Sequence, residues 1–137
     1  MARILVVDGD AAGAEEVCRY LRKSGHDVVR TLNGQEALSR LAVLSPDIVV
    51  LDVLGNDGMQ FLQVLRNYYR GRFIPVILLT ALGNGQHIRS ATHMGVKRIF
   101  LKSNYELPDL LACVNELVSP VPGADLSAIS ARASLNG

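Results

Sequence analysis

Five short runs rich in β-branched residues alternate with segments of helical period along this chain. They are RILVV (3–7), DVVRT (27–31), DIVVL (47–51), IPVILLT (74–80) and RIFL (98–101). Few folds accommodate that alternation. Strand, helix and strand repeated in one chain build a parallel sheet with helices on both faces. The intervening segments carry apolar residues at i, i+3, i+4 and i+7, one face of a helix. Ala14, Val17, Cys18 and Leu21 form the first such set; Ala37, Leu38, Leu41 and Ala42 the second; Phe61, Leu62 and Leu65 the third. Leu107, Leu110, Leu111, Val114 and Leu117 form the last, and residues 85–94 make a weaker, more polar helix before it. Gly25 and Gly95 follow helices where a left-handed stop is wanted. Pro46 and Pro75 sit early in strands, where a missing amide costs least. Asp57 and Gln60 resemble an N-cap and its partner three residues on. The expectation is an α/β fold: one doubly wound (βα)5 unit with a five-stranded parallel sheet.

Composition narrows the function classes. A chain of 137 residues, 49% hydrophobic and 20% charged, suits one globular domain rather than a disordered segment. With net charge +1, no basic stripe and no Trp, direct nucleic-acid binding by this domain is not expected. No apolar run approaches a membrane span, and the chain enters a strand at once, leaving no room for a signal peptide. A cytoplasmic setting is expected on those grounds. Cys18 and Cys113 fall on apolar helix faces and read as reduced core residues. Residues 1–120 read as the domain and residues 121–137, small and polar after SPVPG, as a linker or flexible tail.

In such sheets functional residues gather beyond the carboxyl ends of the strands. Those ends carry Asp8, Gly9 and Asp10 in the first strand, Asp52 in the third, Thr80 and Ala81 in the fourth, and Lys102 in the fifth. A strand order of 2-1-3-4-5 brings them to one edge. Clustered carboxylates favour a divalent cation, Mg2+ being usual for oxygen ligands and phosphoryl substrates. The cation shields an incoming phosphoryl group so that a carboxylate can attack phosphorus. A threonine hydroxyl donates to a phosphoryl oxygen and a lysine ammonium pairs with it. Asp, Thr and Lys are thus the set that makes an aspartyl phosphate. Each alone has a blander reading: a strand-end turn, a half-buried hydroxyl, a surface charge.

The combination ILVVDGD, DIVVLDV, VILLTA and RIFLKS resembles the receiver domain of two-component response regulators, over roughly residues 1–120. The resemblance implies the flavodoxin-like receiver fold. It implies that Asp52 takes a phosphoryl group from a histidine kinase or phosphotransfer protein, assisted by Thr80 and Lys102. Asp8, Asp52 and the backbone carbonyl of Leu54 would hold Mg2+, with Asp10 as a further acid. Ala81, Ile99 and Phe100 would lie in the switch region. The face of helix four, strand five and helix five, including His87, Arg89, Lys97 and Arg98, would meet a second copy, an effector protein or a linked output domain. The chain would be a signalling phosphoacceptor whose only chemistry is its own phosphotransfer.

The sequence also departs from that family. Gly9 replaces the second acid of the usual pair, so a weaker Mg2+ site is expected. The loop after Asp52 lacks the usual proline and looks two residues short. Ser103 follows Lys102 in place of proline. Ile99 occupies the place of the switch aromatic, and strand alternation points the neighbouring Phe100 the opposite way. These departures keep open a receiver-like interaction module not controlled by phosphorylation. The apolar strand followed by Asp8-Gly9-Asp10 also resembles the haloacid-dehalogenase phosphohydrolase motif, with Asp8 as nucleophile. That reading leaves Asp52 without a role and no acidic pair after Lys102. Nucleotide-cofactor binding fits poorly, because DGDAAG lacks the first two glycines of G-x-G-x-x-G.

Overall fold

The computed structural model describes residues 1–52, 56–68, 71–81 and 85–119. Leu54 and the segment 121–137 lie outside the described residues. The elements run β1 (Arg3–Val7), α1 (Ala11–Lys23), β2 (Asp27–Thr31), α2 (Gly34–Leu44), β3 (Ile48–Asp52), α3 (Asn56–Asn67), β4 (Val76–Thr80), α4 (Gly85–His93), β5 (Arg98–Leu101) and α5 (Leu107–Val118). All neighbouring strands are parallel, in the order β2-β1-β3-β4-β5. Among the described residues no helix is long and apolar enough to cross a membrane.

Strand periodicity splits the core in two. Ile4, Val6, Val28, Ile48, Val50, Ile77 and Leu79 face α1 and α5, meeting Val17, Cys18, Leu21, Leu110, Cys113 and Val114. Leu5, Val7, Val49, Leu51, Val76 and Leu78 face α2, α3 and α4, meeting Ala37, Leu41, Phe61, Leu62, Leu65 and Ala91. β3 and β4 are buried along their whole length, as central strands covered on both faces must be. Both cysteines are free and buried. Gly25 and Gly95 take positive φ at 99° and 78°, the left-handed stops the sequence called for.

Three local expectations are corrected. Asp57 lies inside α3 and does not begin it: its carboxylate accepts the Gly34 N–H at 2.5 Å, so it serves the first turn of α2. A Cβ on Gly34 would stand 2.7 Å from the Asp57 carbonyl oxygen and 3.0 Å from the Phe61 Cβ, so α2 and α3 approach where only glycine fits. Ala42 is exposed; Ala37 and Leu41 are the buried apolar residues of α2, with Leu38 and Leu44 packed partly buried beside them. Pro75 precedes β4, and its carbonyl accepts the Val49 N–H at 3.0 Å, carrying the β3–β4 ladder one residue before the strand.

Candidate functional site

Register explains why the acids meet. The β1–β3 ladder ends on the pair Val7 and Leu51, so Asp8 and Asp52 occupy its next step. Each lies two residues beyond a side chain of the α1/α5 face, Val6 and Val50 respectively. Neighbouring strands are about 4.8 Å apart, so two carboxylates of like parity rise side by side. On β5, Lys102 lies two residues beyond Phe100, which packs on the same face. Its side chain therefore crosses the end of β4 and its ammonium donates to Asp52 Oδ2. The Lys102 backbone N–H donates to the Thr80 carbonyl at 2.8 Å, carrying the ladder one residue past the strand.

Burial gives the site its electrostatics. Asp8, Asp52 and Thr80 are 3%, 6% and 1% exposed. The Lys102 side chain keeps 31% exposure, so the cation caps a pocket whose acids are below the surface. Asp52 Oδ2 is satisfied by Lys102, whereas Asp52 Oδ1 is buried with no partner among the described residues. Desolvation lifts the Asp8 carboxyl to about 6; the Asp10 N–H bond to Asp8 opposes this, and the charge and hydrogen bonding of Asp52 add to it. Burial pulls the Lys102 ammonium down, but its bond to Asp52 and the charges of Asp52, Asp8 and Asp10 outweigh this, and its proton is held above the ordinary lysine range.

The remaining candidates have definite places. Asp10 stands at the N-cap position of α1 with no side-chain cap bond; its carboxylate leans over Gly13, where a Cβ would meet Oδ2 at 2.9 Å. Its own N–H donates to Asp8 Oδ1 at 2.9 Å. Ala81 is exposed at the end of β4. Ile99 is 36% exposed, and the Phe100 ring turns the other way, toward Tyr105 at 5.6 Å between centroids. The opposite directions read from strand alternation are therefore present. Gly9 lies where a Cβ would come within 3.2 Å of the Leu32 carbonyl oxygen. One participant carried no signal in the sequence: Arg30, whose Nε and Nη2 both donate to the Asp8 carbonyl oxygen, at 3.2 and 2.9 Å. A single arginine within a β-branched run gives no hint of which carbonyl it will find.

The donor set suits a hard cation only in part. Asp8 and Asp52 supply two carboxylates, one with an unsatisfied buried oxygen, which is the chemistry Mg2+ takes. Among the described residues no group of three or more His, Cys, Asp or Glu forms a metal cluster. Two acids, backbone oxygen and water would make such a site, and Gly9 contributes no side chain to it.

The acid pocket should tax the fold when no cation is present. With Asp8 raised from 3.8 to about 6, both states are protonated below the lower value and nothing is lost there. Between the two values the unfolded chain ionises first and stability falls; above the upper value the whole penalty applies. The full gap converts to about 3 kcal/mol, an upper bound for a site that water reaches. Asp8→Asn keeps the acceptor for the Asp10 N–H and offers an amide donor toward Asp52. It should raise metal-free stability by about 1–2 kcal/mol near pH 8 and change it little near pH 4. Urea unfolding at the two pH values measures this; equal stability of both proteins near pH 8 would remove the penalty.

The family model for the response regulator receiver domain matches residues 4–115. The chain is 32% identical over 120 residues to the DNA-binding dual master transcriptional regulator RpaA of Synechocystis, covering 86% of this chain and 49% of that protein. It is 35% identical over 133 residues to the response regulator MprA of a Mycobacterium species, covering 93% and 56%. The chain therefore spans about half the length of the curated relatives it matches. Among solved structures, the signal receiver domain of a histidine kinase from Syntrophus aciditrophicus superposes with TM-score 0.79 at 29% identity, over 88% of this chain and 92% of that one. Sequence, strand order and neighbours agree, and the chain belongs to the response regulator receiver domain family of two-component signalling.

Proposed function

We propose that this domain is a working phosphoacceptor. Asp52 takes a phosphoryl group from a kinase phosphohistidine and the resulting change is read on the α4–β5–α5 face. The observation that carries the reading is the buried Asp52 carboxylate: one oxygen held by Lys102, the other without a partner, Asp8 alongside. Asp52 oxygen forms the new O–P bond as the N–P bond to imidazole breaks, and the imidazole leaves with its electron pair and takes up a proton. Mg2+, held by Asp8 and Asp52 with the Leu54 carbonyl and Asp10 nearby in sequence, would shield the phosphoryl charge. Lys102 follows the phosphoryl oxygens, and the Thr80 hydroxyl donates to them.

The signal then has a physical route. Drawing Thr80 and Lys102 toward the new charge biases Ala81 at the end of β4 and the start of α5 beyond Lys102. Arg98 bonds Glu116 of α5 at 2.8 Å, joining β5 to α5, while Ile99 points to the opposite face of the sheet and is left exposed there. With Phe100 committed to the core, the side chain free to report is aliphatic. The partners in this reading are a histidine kinase or phosphotransfer protein, then a second copy, an effector or a linked output domain. Residues 1–120 act as the receiver and 121–137 as its linker or tail.

Gly9 favours one other reading, an interaction module that keeps the fold without phosphorylation control. Acetyl phosphate with Mg2+ and intact-mass measurement separate them. The expected result is uptake of one phosphoryl group, absent in Asp52→Ala. No uptake and no Mg2+ binding would establish the unphosphorylated module. Uptake kept in Asp52→Ala but lost in Asp8→Ala would move the nucleophile to Asp8, as in the phosphohydrolase reading.

A further inference from the structure

We infer that Arg30 is a positioning residue of the acid pocket: its guanidinium fixes the peptide between Asp8 and Gly9 and thereby holds the Asp8 carboxylate toward Asp52. The inference rests on the reading of Asp8 as a ligand-bearing acid, and its test is built to stand apart from that reading.

The geometry begins with register. Arg30 pairs with Val6 in the β1–β2 ladder and shares the face of Val28, so its side chain runs up the α1/α5 side past the end of β1. There both Nε and Nη2 converge on one acceptor, the Asp8 carbonyl oxygen, at 3.2 and 2.9 Å. The ion pairs among the described residues do not include Arg30. Its planar fork is therefore spent on a single backbone oxygen, where its geometry restrains direction as well as distance.

That oxygen belongs to the peptide that leads into Gly9. Glycine samples more backbone conformations than any other residue, so a strand end followed by Gly9 is free to swing unless it is tied down. Asp8 is tied three ways. Its N–H donates to the Thr31 carbonyl at 3.0 Å, its carbonyl accepts from Arg30, and its Oδ1 accepts the Asp10 N–H at 2.9 Å. The first two ties both run to β2, and only the Arg30 tie lies on the Gly9 side of the Asp8 Cα. Without it the Asp8–Asp10 turn keeps one local bond and no lateral anchor. Gly9 supplies no side chain to the pocket, so the placing of Asp8 matters more here than where two adjacent acids share the task. Outer groups that orient a ligand commonly change metal affinity by 10–100-fold when removed.

The experiment uses Arg30→Met, which keeps the aliphatic stem, and Arg30→Lys, which keeps the charge on a single donor nitrogen without the planar fork. Amide hydrogen exchange reads the Asp10 N–H, which the Asp8 carboxylate protects, against core amides such as Val49 and Leu78. Calorimetric titration with MgCl2 reads the cation. In Arg30→Met, Asp10 exchange should speed by about tenfold or more with the core amides unchanged, and Mg2+ affinity should fall by about tenfold. Arg30→Lys should lie between. A folded Arg30→Met with unchanged Asp10 exchange and Mg2+ affinity would overturn the inference. So would a uniform rise at every amide, which marks lost stability rather than lost positioning. If the wild-type protein binds no Mg2+, the phosphoacceptor reading fails and Asp10 exchange alone decides the role of Arg30.

Discussion

Phe61→Ala should lower the unfolding free energy by about 3–5 kcal/mol. Phe61 is fully buried on α3, among Leu5, Val49, Leu51 and Leu78 of the sheet face and Leu41 of α2. Truncation removes the transfer energy of the ring and leaves a cavity, and the cost depends on whether neighbours can fall in. Here they are held. Gly34 offers no side chain to fill the space, and α2 is locked at its first turn by the Asp57 bond and by Asn33, whose Oδ1 accepts the Glu36 N–H at 2.8 Å. For a domain whose whole stability is about 5–15 kcal/mol, the loss leaves little in reserve. Urea unfolding with unchanged slope is the measurement. A loss under about 1 kcal/mol would mean that α2 and α3 close over the cavity.

Lys102→Met should destabilise the metal-free protein by about 2 kcal/mol near pH 8, and by much less near pH 5. The figure is below that for a fully buried pair because the lysine is partly in water and solvent screens it. Removing the ammonium leaves Asp52 and Asp8 buried against each other with no cation between them. At lower pH protonation of Asp8 removes one of the two buried charges, so the loss recovers. In the wild-type protein the raised Lys102 contributes stability that is complete below its ordinary value of 10.5 and fades as pH climbs through the folded value. The stability profile of Lys102→Met should therefore rise more steeply on acidification through the weakly acid range than that of the wild-type. Coincident profiles would show that the ion pair contributes nothing to the fold.

The sequence made most of the frame legible. β1, β2 and β5 have the bounds read from their β-branched runs, and the buried faces of α1, α3 and α5 follow the helical period. Such patterns are local: a side chain's face is fixed by its position in a repeat, whatever surrounds it. Strand-end Asp8, Asp52, Thr80 and Lys102 were legible for the same reason, since parity and strand ends are sequence properties. Asp57 was misread because a cap motif looks alike whether it serves its own helix or a neighbour.

Alone, then, the sequence determined the α/β class, the two buried faces of the sheet and the parity that sends Asp8, Asp52 and Lys102 to one side. It also determined, through Gly9, that one acid fewer stands in the pocket. Tertiary structure decided what those residues meet. The register that sets Asp8 beside Asp52, the reach of Lys102 across β4 and the Arg30 fork on the Asp8 carbonyl all join residues 22 to 50 positions apart. Hydrogen bonds, desolvation and charge coupling act over a few ångströms in space, and only the closed sheet turns sequence separation into that distance.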